Sequence, residues 1–143
     1  MSRFEIQSGP WSQLRHDAEL IRRQVFIEEQ NISEVEEWDD QDAVSLHFVI
    51  FEQNQPIATA RLLQNDSIGR VAVLKTYRGA GIGKLLMQYI IDVAKQEGRT
   101  VLKLSAQAYA TKFYENLGFQ VQGEAYLDCG IPHIDMYQNL KNS

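Results

Sequence analysis

The segment from residue 71 to residue 86 reads Val71-Ala72-Val73-Leu74-Lys75-Thr76-Tyr77-Arg78-Gly79-Ala80-Gly81-Ile82-Gly83-Lys84-Leu85-Leu86. An apolar, β-branched run ends at a polar turn, three glycines follow at alternate positions, and an apolar-periodic segment begins at Leu85. This pattern predicts a strand, a glycine-rich loop and a helix, in that order. Glycine allows positive φ and close approach of a ligand, and the first N–H groups of a helix have no intrahelical partner. The segment therefore predicts an anion cradle, with Arg78 and Lys84 adding positive charge beside it.

Two familiar phosphate-binding loops do not fit these letters. A Walker A loop needs Gly-x-x-x-x-Gly-Lys-Ser/Thr, but Gly83-Lys84 is followed by Leu85, and Arg78 stands in the place of the first glycine. A dinucleotide fingerprint needs Gly-x-Gly-x-x-Gly, whereas the glycines here are Gly79, Gly81 and Gly83, and no acidic residue ends a second strand in the expected place. Both alternatives are excluded.

Two motifs together resemble the GNAT superfamily of N-acyltransferases. The stretch Arg78-Gly79-Ala80-Gly81-Ile82-Gly83 resembles its acyl-CoA loop, Gln/Arg-x-x-Gly-x-Gly/Ala. The stretch 107–119, ending in Phe113-Tyr114-Glu115-Asn116-Leu117-Gly118-Phe119, resembles its second signature. The segments 25–30 and 130–133 resemble the small bacterial ElaA-like branch. Resemblance thus covers nearly the whole chain.

The resemblance implies acetyl-CoA as co-substrate and a set of residues that bind it. Gln107 stands where the family often has an Asn that contacts the pantetheine arm, and Tyr114 where it often has the Tyr that protonates the leaving thiolate. The expected cofactor-binding residues are Val71, Ala72, Val73, Arg78, Gly79, Ala80, Gly81, Ile82, Gly83, Lys84, Gln107 and Tyr114. Taken without the glycine loop, a Tyr on a short amphipathic helix would be expected simply to pack in the core.

Length and composition set further bounds. The chain has 143 residues and 44% hydrophobic content, which suits one domain over 1–143. Its net charge of −5 argues against a general nucleic-acid or anionic-membrane binder. A single cysteine excludes an intrachain disulfide, and the first residues lack a signal-peptide h-region. From these features we expect a cytoplasmic protein. The resemblance to the GNAT superfamily implies a small-molecule amine or peptide as substrate, and a homodimer is compatible with it.

The remaining elements follow from periodicity. Residues 4–7 alternate as a strand, and Leu14, Ala18, Ile21, Val25 and Phe26 recur at helical spacing. Strands at 46–52, 57–63 and 68–74 form an antiparallel meander, and a helix beginning at Leu85 leads to a strand at 101–105 that should lie parallel to the third strand of the meander. A short helix at 108–117 and strands at 120–127 and 131–137 complete the chain. These elements predict an α/β (α+β) fold with a single mixed, mostly antiparallel sheet of six to seven strands and about four helices, and the resemblance implies that this is the GNAT fold, whose strands splay around the acyl-CoA site.

Charged residues offer two interpretations. The arginines and glutamates of 22–30 are expected to be ordinary solvated charges. The segment 33–42 holds six of the acidic residues, and it is interpreted either as an exposed, self-repelling loop or as a wall that attracts a cationic amine. It lacks EF-hand spacing and the EF-hand glycine, so no metal site is expected.

The chemistry of acyl transfer needs a positioned thioester, a base and an acid. Tyr114 is the expected acid, because its reference pKa of about 10 keeps it protonated at neutral pH. The family often has a glutamate on the strand before the loop or on the next one, but 70–73 and 101–104 contain no carboxylate. Candidates for the base or for substrate contact are therefore Glu28, Glu29, His47 and His133, with a water chain as the other route; His47, as a lone strand histidine, is first expected to be packed.

The predicted function is N-acetyl transfer from acetyl-CoA to a primary amine by direct attack in a ternary complex. The alternative is a non-catalytic acyl-CoA sensor or an interaction domain that keeps the fold. Cys129 has no activating cation or paired base next to it in sequence, and we expect its thiol not to be a nucleophile.

Overall fold

Within residues 3–140, which the computed structural model describes, seven strands form one mixed sheet. They are β1 (Phe4–Gly9), β2 (Leu46–Glu52), β3 (Gln55–Leu62), β4 (Ser67–Val73), β5 (Val101–Gln107), β6 (Gln120–Asp128) and β7 (Ile131–Asn139). Their order across the sheet is β1-β2-β3-β4-β5-β7-β6. The predicted meander and the predicted strand count are confirmed. The ends of the predicted 1–143 domain, residues 1–2 and 141–143, lie outside the described residues.

The α- and π-helical segments in the same range are few. They are α1 (Trp11–Arg22), which continues into a wider π-helical segment (Arg23–Glu29), then α2 (Glu34–Glu37), α3 (Ile82–Gln96) and α4 (Thr111–Glu115). Short 3₁₀ turns lie at Asp42–Val44 and Lys75–Tyr77. Helix α3 begins three residues before the predicted start at Leu85 and ends, as predicted, just before Gly98, whose φ is +79°. The helix predicted at 108–117 is shorter, since Ala108–Ala110 forms a 3₁₀ turn before α4. None of these helices is long and apolar enough to cross a membrane.

The two long helices pack on opposite faces of the meander. Alternate residues of β2 point to opposite faces: Phe48 belongs to the cluster that contains Leu86 and Ile90 of α3, whereas Val49 belongs to the cluster that contains Leu14 of α1. Leu86 and Ile90 are fully buried, and burial of such side chains contributes about 1.5–3 kcal/mol each. The meander is thus packed between α1 and α3.

Strands β4 and β5 run parallel, as predicted, but they pair only at Ser67↔Lys103 and Ile68↔Leu104. Beyond Ile68 the two strands part. On the β3 side, Gly69 lies opposite Arg61 and Ala72 opposite Thr59, so β4 has one extra residue there, and Arg70 takes a φ of +51°. This β-bulge bends β4 at the point where it leaves β5.

The C-terminal part of the sheet is more exposed to solvent than the meander. All nine residues of β6 are exposed, and β6 lies at the end of the sheet. The tight turn to β7 has positive φ at both Cys129 and Gly130, the geometry that favours a two-residue hairpin. Strand β6 also bulges between Gln122 and Tyr126, where Gly123 has a φ of +81°. As a result, side chains of β5, β6 and β7 share an open, polar face.

Candidate active site

A cleft of about 880 Å³ opens where β4 and β5 part. Its walls include residues 69–73 of β4 and Ser105 and Gln107 of β5. From Gly69 onward, the edge of β4 that faces β5 has no strand partner, because the last parallel pair is Ile68↔Leu104. Unpaired backbone N–H and C=O groups of a strand are available to an extended polar ligand.

One end of the cleft is formed by the glycine loop. Gly79 and Gly81 have φ of +83° and +81°, and a Cβ at either would meet nothing within 4 Å, so the space in front of them is open. Gly81 is the N-cap of α3, and among the described residues no side chain caps this helix start. At Gly83 a Cβ would lie 3.3 Å from the ring of Phe113, so a larger residue would push against α4. The loop therefore presents free N–H groups to an anion.

Nearly all of the residues expected from the motifs lie together here. The cleft is lined by Val71, Ala72, Val73, Arg78, Gly79, Gly81, Ile82, Gly83, Lys84, Gln107 and Tyr114. Ala80 is exposed in the same loop but is not part of the lining.

The side chain of Arg78 is bound by protein groups. Its Nε donates to the carbonyl of Val73 at 2.9 Å, and Nη1 and Nη2 donate to the two carboxylate oxygens of Glu29 at 2.6 and 2.8 Å. The hydrogen bond from Arg78 lowers the pKa of Glu29, so Glu29 is a carboxylate at neutral pH. A phosphate that binds the same two guanidinium N–H groups has to displace Glu29 from Arg78.

Tyr114 lies in the wall opposite β4. Its ring packs edge-on against the rings of Phe113 and Phe119. Tyr114 is largely buried, and the part of it that is not buried lines the cleft. Burial, with a smaller contribution from Tyr109, raises the pKa of Tyr114 to about 12. Tyr114 is therefore both a packed residue and a protonated hydroxyl at the cleft.

Two amides meet across the cleft. Gln107, the last residue of β5, donates from Nε2 to Oε1 of Gln30 at 3.0 Å, and both residues line the cleft. Gln30 directly follows the π-helical segment, so this hydrogen bond connects the end of that segment to β5. This hydrogen bond orients the side-chain amide of Gln107. The amide oxygen of Gln107 takes no part in the bond.

The far end of the cleft is polar. Glu36, Asp128, Cys129 and His133 all contribute to its lining. The Cys129 thiol donates to Glu36 at 3.2 Å, and this bond raises the thiol pKa to about 11, so Cys129 stays a thiol at neutral pH, in agreement with the prediction. His133 Nδ1 lies 2.7 Å from the carbonyl of Ile131. Because a carbonyl only accepts, Nδ1 carries the hydrogen, and a neutral ring then has its lone pair on Nε2.

Three of the four base candidates lie outside the cleft lining. His47 is buried, with Nε2 at 2.9 Å from the carbonyl of Asp42 and its ring 4.6 Å from that of Trp11. Burial lowers its pKa, and the expectation that it is a packed residue is confirmed. Glu28 and Glu29 border a separate, smaller depression beside Leu74 and Lys75. Only His133, among these four, faces the cleft.

The prediction of solvated charges at 22–30 is wrong for Arg22, which is 1% exposed. Arg22 binds Glu37 through Nε at 2.8 Å and Asp42 through Nη1 at 2.7 Å. Its guanidinium also lies over the rings of Trp11 and Trp38. Arg22 is thus a buried cation held by two carboxylates.

The interpretation of 33–42 as an open acidic loop is wrong for Glu37 and Asp42, whereas Glu34, Glu36, Asp39 and Asp40 are exposed as that interpretation expects. Glu37 and Asp42 are buried, and Arg61 joins Asp42 to Asp39 with distances of 2.9 and 2.7 Å. Arginines from α1 and β3 neutralise these carboxylates, which is why the segment packs on the protein instead of repelling itself into solvent. Asp39 and Asp42 consequently have no free charge with which to steer a substrate.

Sequence reasoning missed several residues of the cleft. Arg70 at the β4 bulge donates through Nη2 to the carbonyl of Glu37 at 2.8 Å and so ties the cleft wall to α2. Gln30 and Glu36 gave no local signal, because the partners of both are distant in sequence. Ser105 did give one: it lies two residues before Gln107, and period two places both on one face of β5.

Known proteins with similar sequence and structure agree with this picture. Residues 16–140 match the family model described as Acetyltransferase (GNAT) domain. YyaT of Bacillus subtilis is 36% identical over 134 residues, with 90% of each chain covered, and ElaA of Escherichia coli is 32% identical, with 84% of each covered.

Two crystal structures superpose closely. An acyl-CoA N-acyltransferase from Pseudomonas aeruginosa has a TM-score of 0.86 at 30% identity, with 94% of this chain and 99% of that chain covered. The crystal structure of Escherichia coli ElaA also gives a TM-score of 0.86, at 28% identity and the same coverage.

Proposed function

This chain belongs to the GNAT acetyltransferase family, and from that premise we propose that it transfers an acetyl group from acetyl-CoA to a primary amine of a small molecule or peptide. Attack is direct, within a ternary complex of the protein and both substrates. The observation that carries the proposal is the cleft between β4 and β5, which has an anion cradle at one end and a protonated tyrosine in its wall. An elongated polar ligand with phosphates at one end, such as a long, phosphorylated thioester, suits a cleft of this kind.

The residues present fit acetyl-CoA. The open space before Gly79 and Gly81 and the uncapped start of α3 suit the pyrophosphate, with Lys84 adding charge. The unpaired edge of β4 past Ile68 can pair with the amide groups of the pantetheine arm, and the Gln107 amide lies opposite it. These contacts would hold the thioester at the point where the strands part.

The protein groups then divide the chemistry. A backbone N–H of bulged β4 stabilises the negative charge that develops on the thioester oxygen. The Tyr114 hydroxyl protonates the departing thiolate, because its raised pKa keeps the proton available. The polar end of the cleft, which includes His133, receives the amine.

A second candidate is a sensor that binds acyl-CoA without turnover. It is favoured by the composition of the two strands that border the cleft, since neither β4 nor β5 contains a carboxylate to act directly as base. The two functions differ in one measurable property, which is release of free CoA in the presence of an amine.

The test measures both binding and turnover. Calorimetry with CoA and acetyl-CoA tests the cleft, and a thiol-reactive dye follows CoA release from acetyl-CoA with a panel of amines, including diamines, amino sugars and peptide N-termini. We expect micromolar binding, typical of co-substrates, and release that depends on one amine class. Binding without amine-dependent release would identify a sensor, and absence of binding would exclude both functions.

A further inference from the structure

A line of hydrogen-bonded side chains leads out of the cleft along the open face of the sheet. Ser105 lines the cleft and directly follows Leu104, the last β5 residue that pairs with β4. It therefore lies where the two strands part. Its hydroxyl is hydrogen-bonded to the Tyr126 hydroxyl, and Tyr126 donates to Asp135 Oδ1 at 2.6 Å.

The direction of these bonds follows from the number of hydrogens. The Tyr126 hydroxyl has one hydrogen, which it gives to Asp135, so it must accept the hydrogen of Ser105. The Ser105 oxygen then keeps lone pairs that can accept a proton from a group in the cleft. The chain thus has a single polarity, from the cleft to the carboxylate.

The sheet register holds these three residues in place. Ser105 lies opposite Asp135 in the β5–β7 ladder, and Tyr126 lies opposite His133 in the β6–β7 ladder. The β6 bulge between Gln122 and Tyr126 sets the position of the tyrosine, and its ring stacks on that of His133 at 25° between planes. Three strands thus contribute one side chain each.

We propose that Ser105, Tyr126 and Asp135 form a proton relay that removes the proton from the attacking amine nitrogen and passes it to solvent. Ser105 is the catalytic residue of the relay because it is the member that lines the cleft, where it would contact the amine, and Tyr126 and Asp135 act through it as positioning residues. The inference rests on the proposed function. The relay would take the role of the glutamate base that β4 and β5, the two strands bordering the cleft, do not contain.

The step balances as follows. The amine nitrogen forms a bond to the thioester carbon, and the carbon–sulfur bond breaks, with its electron pair leaving on sulfur. The nitrogen gives its surplus proton to the Ser105 oxygen, the Ser105 hydrogen moves to Tyr126, and the Tyr126 hydrogen moves to Asp135, which becomes a carboxylic acid. Asp135 is exposed and returns the proton to water. Tyr114 supplies the thiolate with a separate proton.

A carboxylate is a sufficient final acceptor. The proton that must leave is the one that nitrogen carries after attack on the carbonyl, and it is far more acidic than that of a free ammonium ion. Partial desolvation, followed by the hydrogen bond to Asp135, raises the pKa of the half-exposed Tyr126, so its hydroxyl stays protonated at neutral pH. The other ionisable groups on the strand segments around Asp135 are Lys103 of β5, Glu124 and Asp128 of β6, and His133 and Tyr137 of its own strand.

The test compares Asp135→Asn, Tyr126→Phe and Ser105→Ala with Tyr137→Phe. Asp135→Asn keeps an acceptor oxygen for Tyr126 but cannot take the proton, and Tyr126→Phe keeps the ring. Tyr137→Phe is the matched control, because its hydroxyl also links β7 to β6, through Gln120 at 3.1 Å, on the same face but in a hydrogen bond that includes no member of the relay. The readouts are kcat against pH, KM for acetyl-CoA and the melting temperature.

We expect Asp135→Asn and Tyr126→Phe to lower kcat about 10²-fold near neutral pH, as loss of a general base does, with KM for acetyl-CoA unchanged. The loss should shrink as pH rises, because hydroxide and free amine then replace the relay. Tyr137→Phe should match the wild type.

Two results would overturn the relay alone: wild-type kcat and pH profile in Asp135→Asn and Tyr126→Phe, or losses no larger than in Tyr137→Phe. The variant His133→Asn supplies a third, since a collapse of kcat there with the relay variants active would make His133 the base. A wild-type protein that releases no CoA, either with amines or by slow hydrolysis, would instead refute the proposed function itself, and the relay with it.

Discussion

Arg78 and Glu29 form a bidentate ion pair that joins the glycine loop to the π-helical segment, with nitrogen–oxygen distances of 2.6 and 2.8 Å. Such a pair competes directly with any phosphate that approaches Arg78. The pair also links the loop to the segment that Gln30 directly follows, and the Gln30 amide accepts a hydrogen bond from Gln107 of β5. Binding at the loop is therefore expected to affect the cleft wall.

Glu29→Gln should strengthen CoA binding. The change removes the competing charge and frees the guanidinium for phosphate, and exposed charge pairs of this kind are worth about 0.2–1 kcal/mol, which corresponds to a gain of up to about fivefold. Calorimetry with CoA measures it, and Glu28→Gln, which removes the same charge one residue earlier, is the control. Equal affinities for the two variants would mean that Arg78 does not contact the phosphate.

Gly81→Ala should weaken CoA binding by more than its loss of folding stability accounts for. A side chain at positive φ costs about 1–2 kcal/mol, and the new Cβ would stand in the space before the helix start. Gly98→Ala is a closely matched control: its φ is +79°, a Cβ there also meets nothing within 4 Å, and it does not line the cleft. Both variants should lose similar stability, and only Gly81→Ala should lose affinity. Equal affinities would contradict the loop assignment.

Tyr114→Phe should lower turnover by about 10²–10⁴-fold while leaving the dissociation constant of acetyl-CoA unchanged. Because the pKa of Tyr114 is about 12, wild-type activity should not fall from ionisation of this group at any pH well below that value. Steady-state rates from neutral to alkaline pH check both points. Full activity of the Phe variant would assign the proton donor to water or to another residue, and a loss of stability alone would leave only the packing role.

Asp42→Asn should destabilise the protein by about 3–5 kcal/mol, since it leaves Arg22 and Arg61 with less compensation in a buried site. Denaturant unfolding measures the difference. Asp40→Asn, two residues away on the exposed surface, should change stability by no more than about 0.5 kcal/mol. Similar values for the two variants would contradict the buried ion-pair network.

Asp39 should contribute to stability at all but very low pH. The hydrogen bond from Arg61 is the main cause that lowers its pKa from 3.8 to about 2. A lowered pKa means that the stabilisation is complete above the unfolded value and is lost as pH falls through the folded value. The difference in unfolding free energy between wild type and Asp39→Asn should therefore grow from about pH 2 to pH 3.8 and stay constant above it. A difference independent of pH in this range would refute the assignment.

The parts of the site that were predictable are those with a local signal. The order of strand, loop and helix at 71–86 follows from hydrophobic period and glycine spacing, and Gln107 and Tyr114 follow from a motif. The burial of Arg22 could not be predicted, because its partners Glu37 and Asp42 lie 15 and 20 residues away and meet it only after α1 packs on the sheet. For the same reason, the relay from Ser105 to Asp135 depends on the order of β5, β7 and β6, which the sequence does not state.

The bulge in β6 has a consequence for solubility. A long exposed strand at the end of a sheet offers a row of free N–H and C=O groups to the same strand of another molecule, and β6 also exposes Val121 and Leu127. The bulge at Gly123 interrupts this row of backbone hydrogen-bonding groups in the middle of β6, so two molecules cannot form a continuous strand pair along its full length. A variant in which β6 is made regular, by deletion of the extra residues at 123–124, should therefore aggregate at concentrations where the natural protein stays dispersed, with light scattering as the measure.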